Sequence, residues 1–359
     1  MAHLLLAGYF GEGNLGDDSM LLGFVHGLGQ THHDITVMSG RPEETDRLYG
    51  LRAVARKDPK AFSRALDACD CVVFPGGSLF QDSTSTKSVA YYQQLVKRAK
   101  KAGKRVFLLG QGVGPLTGFL GKRMAADAFQ AADYVTVRDP GSFETLKQIG
   151  VKRAVKVTAD CAFLLPKPLD SPDVTEFKVG SMRAVGIAPR PYGKPKQNVK
   201  MFADLARMLY QANLMPVLIE MDRDEDGDTI LGISKAFGGK IPDIRKVGTP
   251  MQLQQRIARM DSMIAMRLHA AILATTVGVA PLLLSYDPKV QALGRMLELP
   301  TLGMDGLTAQ RIFDAFMEFQ RHREQATRLL DRRVEEQKAL AQQNVEIVNE
   351  SLGVPAASG

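Results

Sequence analysis

Short apolar runs alternate with longer amphipathic stretches through the first 165 residues of the chain. Short apolar runs predict buried strands, and apolar positions spaced three and four residues apart predict helices. Strands that alternate with helices are typical of an α/β domain with a mostly parallel sheet. We predict strands at 4–7, 35–38, 71–74, 105–109, 134–137 and 155–158, and helices at 18–28, 59–68, 87–102, 122–132 and 142–149.

A proline-rich stretch interrupts this alternation. Pro166, Pro168 and Pro172 fall within residues 166–180, where the periodicity is weak, so we predict a linker there. The pattern then restarts, which predicts a second Rossmann-like domain at 181–307 after the first at 1–165. Its expected strands are 184–188, 216–219, 262–266 and 281–285, and its expected helices are 199–212, 227–237, 251–259, 270–277 and 290–297.

The chain from 308 to 352 has a helical pattern throughout. Its apolar residues keep to one face at helical spacing, which predicts a long C-terminal helix that packs back across both domains. These residues are Leu330, Val334, Ala341, Val345, Val348 and Leu352.

Composition places the chain among ordinary globular proteins, with 45% hydrophobic and 24% charged residues over 359 positions. No window approaches the roughly 18 unbroken apolar residues of a membrane helix, and the start is too short for a signal peptide. We therefore expect a cytoplasmic protein. The three cysteines are odd in number and lack metal-ligand spacing, so we expect neither disulfides nor a metal site.

The net charge of +7 favours anionic partners. Phosphorylated metabolites, anionic lipid surfaces and nucleic acid all fit this charge. Because the chain has no Trp and no basic stripe interleaved with aromatic residues, nucleic acid ranks lowest.

A glycine-rich turn at residues 11–16 follows the first predicted strand and opens a helix, as in a dinucleotide-binding fingerprint. Two features weigh against a pyrophosphate. Asp17 and Asp18 stand at the helix start, where carboxylates repel phosphate, and no acidic residue for a ribose follows the second strand. NADP stays possible, because Arg41 could bind its 2′-phosphate. Asp17 could also serve only as the N-cap of the helix. We favour Asn14 and Asp17 as ligands of a hydroxylated molecule such as a sugar.

Two further glycine turns follow strands of the first half, at 75–78 and 110–115. Glycines let a ligand approach the backbone, and ligands of open α/β sheets bind at the carboxyl ends of the strands. The turn with Gly76, Gly77 and Ser78, followed by Asp82, therefore predicts a ligand-lined rim.

Basic residues follow three strands of the second half. Arg190, Arg267 and Lys289 could converge on one anion, with Ser285 beside them. Arginine pairs with carboxylate or phosphate through its planar fork, and lysine adds a mobile charge. His269 can transfer a proton near neutral pH, so we predict Arg267 and His269 at the reacting centre.

Together these motifs resemble the polysaccharide pyruvyl transferase family, most closely its bacterial cell-wall members. The matching pieces are Gly8-Tyr9-Phe10-Gly11-Glu12-Gly13-Asn14-Leu15-Gly16-Asp17, Pro75-Gly76-Gly77-Ser78, Gly110-Gln111-Gly112-Val113-Gly114-Pro115, Arg138-Asp139, Asp160-Cys161-Ala162-Phe163 and Arg267-Leu268-His269.

The resemblance implies a GT-B-like pair of Rossmann-like domains. It implies phosphoenolpyruvate on the second domain, with Arg138 reaching the donor across the cleft, and a sugar on the first, with N-acetylmannosamine as the expected acceptor. The acceptor side would comprise Asn14, Asp17, Gly76, Gly77, Ser78 and Asp82.

The expected reaction transfers the enolpyruvyl group as a ketal and needs no cofactor beyond the donor. His269 would protonate the methylene carbon, a sugar hydroxyl would attack C2, and a second hydroxyl would displace phosphate. The basic residues would hold the carboxylate and stabilise the departing phosphate. The general base stays open among Asp17, Asp82 and Asp287. If the acceptor is lipid-linked, the basic surface would hold the protein loosely at an anionic membrane face.

Two alternatives remain. A glycosyltransferase that uses a nucleotide sugar would share the architecture, and Glu220 and Asp222 follow a suitable strand for a ribose. A carbohydrate-binding protein without catalytic activity would keep the fold as well.

Overall fold

The computed structural model describes residues 2–29, 33–82, 85–168 and 182–353. The chain divides into two compact units. Unit 1 takes its residues from Met1–Glu12, Asp17–Leu165 and Gln337–Gly359, and unit 2 from Gly13–Gly16 and Pro166–Glu336. Most of the predicted linker, residues 169–180, lies outside the described residues.

Unit 1 is built on one parallel sheet with the strand order β3-β2-β1-β4-β6-β7-β8, and β5 pairs with β6. The elements along this part of the chain are β1 (His3–Phe10), α1 (Leu15–Leu28), β2 (Asp34–Ser39), α2 (Pro42–Tyr49), β3 (Ala53–Ala55), α3 (Pro59–Ala68), β4 (Cys71–Phe74), β5 (Gly77–Phe80), α4 (Thr86–Lys101), β6 (Arg105–Val113), α5 (Phe119–Ala131), β7 (Tyr134–Val137), α6 (Pro140–Gln148) and β8 (Lys156–Val157).

Each strand and helix predicted for this half coincides with one of these elements. Three elements, α2, β3 and β5, were not predicted. Helix α2 and strand β3 lack the buried apolar pattern on which the prediction depends. The one buried residue of α2 is Thr45, and no residue of β3 is fully buried. Strand β5 overlaps the second glycine turn, where a ligand-lined rim was predicted.

Unit 2 contains a second parallel sheet, with the order β11-β10-β9-β12-β13-β14. The short edge strands β11 and β14 were not predicted. The elements are β9 (Arg183–Ala188), α7 (Pro195–Gln211), β10 (Leu214–Ile219), α8 (Gly227–Phe237), β11 (Asp243–Ile244), α9 (Pro250–Ile257), β12 (Ser262–Ala265), α10 (Leu268–Thr276), β13 (Pro281–Ser285), α11 (Pro288–Leu297), β14 (Thr301–Gly303) and α12 (Ala309–Arg321).

The last helix, α13 (Arg323–Ser351), buries the predicted apolar stripe from Leu330 to Val348. A buried polar residue, Asn344, interrupts this stripe. Its side-chain oxygen accepts hydrogen bonds from the hydroxyls of Thr136, at 2.6 Å, and Thr158, at 2.8 Å. These bonds fix the helix against β7 and the end of β8 within unit 1. No helix in the described part of the chain is long and apolar enough to cross a membrane.

The first glycine turn is closed by a carboxylate. Asp18 is buried in the first turns of α1, and its two oxygens accept hydrogen bonds from the Gly11 N–H and the Tyr49 hydroxyl, each at 2.9 Å. A backbone N–H that a phosphate would need is therefore already used, which agrees with the argument against a pyrophosphate here. Desolvation by burial raises the pKa of Asp18 from 3.8 to about 6.

This burial predicts a pH-dependent free energy of unfolding. Between pH 4 and 6 the folded protein binds a proton at Asp18 that the unfolded chain releases, so stability falls as pH rises through this range. A shift of about two pKa units corresponds to roughly 3 kcal/mol. Asp18→Asn cannot ionise, so we expect it to be close to wild type at pH 4 and more stable above pH 6.

Denaturant unfolding followed by circular dichroism from pH 4 to 7 measures this difference. Asp46→Asn, which removes an exposed aspartate from α2, is the matched control. Equal pH slopes for wild type and Asp18→Asn would contradict the prediction.

Candidate active site

The basic residues of unit 2 lie at one edge of its sheet. Arg190 follows β9, Arg267 follows β12, and Ser285 ends β13, and these three strands are neighbours. Parallel neighbours bring their carboxyl ends together, so the predicted donor residues share this edge.

Arg267 is buried, and aspartate and glutamate side chains surround its guanidinium. Its Nε atom donates to Asp226 Oδ1 at 3.1 Å, Nη2 also donates to Asp226, and Nη2 donates to Glu225 Oε2 at 2.9 Å. Burial alone would lower the pKa of Arg267, but the nearby carboxylates, Asp226 foremost, outweigh it and the pKa is raised. The arginine therefore stays charged.

Asp226 joins this arginine to the backbone of the neighbouring strand. Its second oxygen accepts hydrogen bonds from the N–H groups of Met221 and Asp222, each at 3.0 Å, just after β10. The side chain has no exposed surface. Neither Asp226 nor Glu225 was predicted as a site residue.

Arg190 lies against Tyr286, which was not predicted either. Its Nη1 atom donates to the Tyr286 hydroxyl at 2.6 Å, and its guanidinium carbon lies 5.0 Å from the centre of the ring. Its Nη2 atom is 3.5 Å from Glu225 Oε2, so one carboxylate contacts both arginines. An aromatic residue directly after a strand, between predicted donor residues, was the signal that could have identified Tyr286.

Lys289 and Ser285 make local contacts near the same ring. The Lys289 ammonium is 3.5 Å from Asp287 Oδ2 and 5.9 Å from the centre of the Tyr286 ring. The Ser285 hydroxyl donates to the carbonyl oxygen of Asp287 at 3.2 Å. Asp287 itself caps α11 by accepting from the Lys289 N–H, so this carboxylate shapes the turn.

His269 lies in the first turn of α10 and packs against the first glycine turn of the chain. A Cβ atom at Gly16 would lie 2.4 Å from His269 Nδ1, so this contact needs glycine. Residues 13–16 belong to unit 2, where the Leu15 N–H donates to the carbonyl of Met221 at 2.9 Å. The turn therefore supports the histidine.

Asn14 differs from the expected position. We expected it in the N-terminal domain beside Asp17, but it forms an isolated bridge with Asp222 in unit 2. Its side-chain oxygen accepts from the Gly16 N–H at 2.9 Å, so its amide shapes the turn that contacts His269. Local sequence pattern cannot show which unit a four-residue turn packs against.

The predicted acceptor residues Asp17, Gly77 and Ser78 meet Arg138 at the carboxyl edge of unit 1. Arg138 is buried and donates to Asp160 Oδ2 at 2.7 Å and to the Ser78 hydroxyl at 2.9 Å. A Cβ atom at Gly77 would lie 3.7 Å from Asp17 Oδ1. Gly76 and Gly77 have φ values of +126° and +104°, which other residues rarely adopt.

Asp82 is occupied by the loop that precedes α5. It accepts hydrogen bonds from the backbone N–H groups of Thr117 and Gly118, both at 2.8 Å. Desolvation would raise the pKa of Asp82, but these hydrogen bonds prevail and lower it. A carboxylate that is bonded in this way is a weak base.

Comparison with known proteins identifies the family. The family model for polysaccharide pyruvyl transferases matches residues 14–288, which include the Arg267-Leu268-His269 strand end. The chain belongs to the polysaccharide pyruvyl transferase family. No match was found among curated proteins.

Solved structures show the fold of this pyruvyl transferase. MnaA of S. aureus, solved with UDP, is 13% identical with a TM-score of 0.67 over 100% of both chains. HepE of Anabaena, in complex with UDP-glucose, is 13% identical with a TM-score of 0.62 over 98% of both chains. MurG of Acinetobacter baumannii is 13% identical with a TM-score of 0.55, over 98% of this chain and 100% of its own. The expected GT-B-like fold is confirmed.

The packing of Gly16 against His269 predicts the effect of one methyl group. Gly16 lies in a helix, where alanine by itself is favourable. Gly16→Ala should nevertheless displace the imidazole. If His269 is the predicted proton donor, pyruvyl transfer should fall at least about tenfold, because small misplacements of a catalytic group are costly. Steady-state kinetics with a thermal melt to verify folding measure this effect.

Gly303→Ala is the matched control, since its added methyl group meets no atom within 4 Å. Wild-type activity in Gly16→Ala would show that the turn does not position the histidine.

Proposed function

We propose that this pyruvyl transferase moves the enolpyruvyl group of phosphoenolpyruvate onto two hydroxyls of a sugar and releases phosphate. The observation that carries the proposal is the shared strand end of Arg267 and His269, with Arg190 at the neighbouring strand end. A proton donor on the same sheet edge as two arginine forks suits a donor that bears a carboxylate and a phosphate.

In the proposed reaction, His269 gives its proton to the methylene carbon of phosphoenolpyruvate, which makes C2 electrophilic. A first sugar hydroxyl attacks C2, and a second then replaces phosphate and closes the ketal. Arg190 and Arg267 hold the donor, while Lys289 and the Ser285 hydroxyl stabilise the departing phosphate.

The acceptor is assigned to the turn of unit 1. Asp17 is our choice for the general base, because its carboxylate lies beside Gly77 in the turn to which we assign the acceptor. Arg138 is paired with Asp160 and Ser78, so we assign it to orient Ser78. N-acetylmannosamine of a cell-wall polymer precursor stays the proposed sugar, on the family resemblance.

The nucleotide-sugar alternative depends on two acidic residues, Glu220 and Asp222, and both bond to nearby backbone. A carboxylate oxygen of Glu220 accepts from the Lys246 N–H at 2.8 Å. Asp222 accepts from the N–H groups of Asp224 and Glu225, at 3.0 and 3.2 Å. Both acids therefore organise local backbone, which weighs against their binding the ribose of a nucleotide.

Phosphate release from phosphoenolpyruvate, measured with a panel of amino-sugar acceptors, tests this function. His269→Ala should lose at least about a hundredfold in turnover, the usual range for a general acid. Arg267→Lys keeps the charge but not the fork, and should raise KM for phosphoenolpyruvate.

His322→Ala, at an exposed histidine, is the matched control and should keep full activity. Full turnover in His269→Ala would refute the proposed acid. Thermal stabilisation by UDP-sugars but not by phosphoenolpyruvate would favour the glycosyltransferase instead.

A further inference from the structure

Glu225 is the one carboxylate in the described part of the site that contacts both Arg190 and Arg267. Its Oε2 atom lies 2.9 Å from Arg267 Nη2 and 3.5 Å from Arg190 Nη2. Two guanidinium groups around one carboxylate oxygen are also what a bound carboxylate ligand would require. The side chain therefore occupies the place that the proposed donor needs.

Glu225 and its neighbour Asp226 differ in how firmly they are held. Asp226 has no exposed surface and accepts two backbone hydrogen bonds besides those from Arg267, so moving it would leave buried groups unpaired. Glu225 is 50% exposed, and the contacts of its carboxylate among the described residues are the two arginines. Water can therefore solvate this carboxylate when it swings outward.

We propose that Glu225 is an internal competitor for the donor carboxylate, and that it leaves the two arginines when the donor binds. This inference rests on the proposed function. The exchange replaces one carboxylate by another, so neither arginine loses its compensating charge. A neutral ligand cannot make this exchange, which makes Glu225 a specificity-determining residue for anionic donors.

An internal competitor weakens the apparent affinity by the fraction of time that it occupies the site. Glu225→Gln and Glu225→Ala should therefore lower KM for phosphoenolpyruvate by at least about threefold, with kcat changing less than KM. Asp228→Asn removes the same charge from an exposed position three residues later, in the first turn of α8, and should leave KM unchanged. If Glu225 instead positions the arginines, KM rises in both variants and the proposal is overturned.

Calorimetry with phosphoglycolate separates this result from the fate of the proposed function. Tighter binding to Glu225→Gln than to wild type supports the competitor even if the wild-type enzyme releases no phosphate from phosphoenolpyruvate. Equal or weaker binding refutes the competitor even if pyruvyl transfer is established.

An independent observation concerns the start of α5. Phe119 and Leu120 are 75% and 64% exposed, more than any other large apolar side chain described. The exposed residues Lys122 and Arg123 follow directly. We call these four residues the α5 tip.

The α5 tip is presented by a firmly held turn. Asp82 accepts from the N–H groups before Phe119, and a Cβ atom at Gly121 would lie 2.5 Å from Asp82 Oδ2. The turn follows β6, at the same edge of unit 1 as Ser78 in the adjacent β5.

We infer that the α5 tip docks on an anionic membrane surface, with Phe119 and Leu120 in the interface and the two basic residues on the headgroups. A stable protein partner usually buries about 800 Å² on each side, more than two side chains provide. Few apolar residues beside basic ones are enough for interfacial binding. The location suits a sugar acceptor carried by a lipid.

Co-sedimentation with vesicles of phosphatidylcholine alone, or of phosphatidylcholine mixed with phosphatidylglycerol, tests this surface. Phe119→Ser/Leu120→Ser should reduce binding to anionic vesicles at least about fivefold. Leu231→Ser, at a 53% exposed position of unit 2, is the control. Undiminished binding by the double variant, or a dimer that the double variant dissociates, would overturn the proposal.

Discussion

The ion pair between Arg267 and Asp226 determines the geometry of the donor edge, by which we mean the edge of the unit 2 sheet formed by the carboxyl ends of β9, β12 and β13. A buried guanidinium is stable only where a carboxylate and its hydrogen bonds replace lost water, and removing either partner of such a pair typically costs 3–5 kcal/mol. Asp226 supplies the negative charge that balances Arg267, and it accepts hydrogen bonds from two backbone N–H groups after β10. One side chain thereby joins the ends of two strands. The bonds to Asp226 fix the orientation of the guanidinium, and this orientation determines where the remaining N–H groups of Arg267 point.

Unit 1 also contains a buried pair of an arginine and an aspartate, but this arginine has a different second partner. Arg138 also follows a strand and also pairs with a buried aspartate, Asp160, but its second contact is the hydroxyl of Ser78 within the protein. Arg267 has its second contact with the exposed carboxylate of Glu225. An arginine whose partners are all held inside the protein supports the structure. An arginine that has one solvent-exposed partner can exchange that partner for a ligand. This contrast supports our proposal that the donor anion binds to unit 2.

Sequence pattern predicted the strands and helices well because their burial is periodic and local. It also placed Arg190, Arg267 and His269 on one edge, since each follows a strand of the same parallel sheet. It could not find Glu225 and Asp226, which meet Arg267 from about forty positions away along the chain. It assigned Asn14 to the wrong surroundings for a related reason. The turn 13–16 is continuous with unit 1 in sequence, but its hydrogen bonds run to residues after β10.

Each basic residue of the donor edge has a carboxylate next to it, so the positive charge of this edge is largely neutralised. Arg267 faces Asp226, Lys289 faces Asp287, and Arg190 faces Glu225. The edge therefore attracts an anion only to the extent that one of these carboxylates withdraws. Asp226 is held by the backbone and Asp287 caps a helix, so both are needed for the fold. Glu225 is the carboxylate whose departure leaves the fold intact, and the ligand that replaces it must bring a comparable negative charge to the same two arginines.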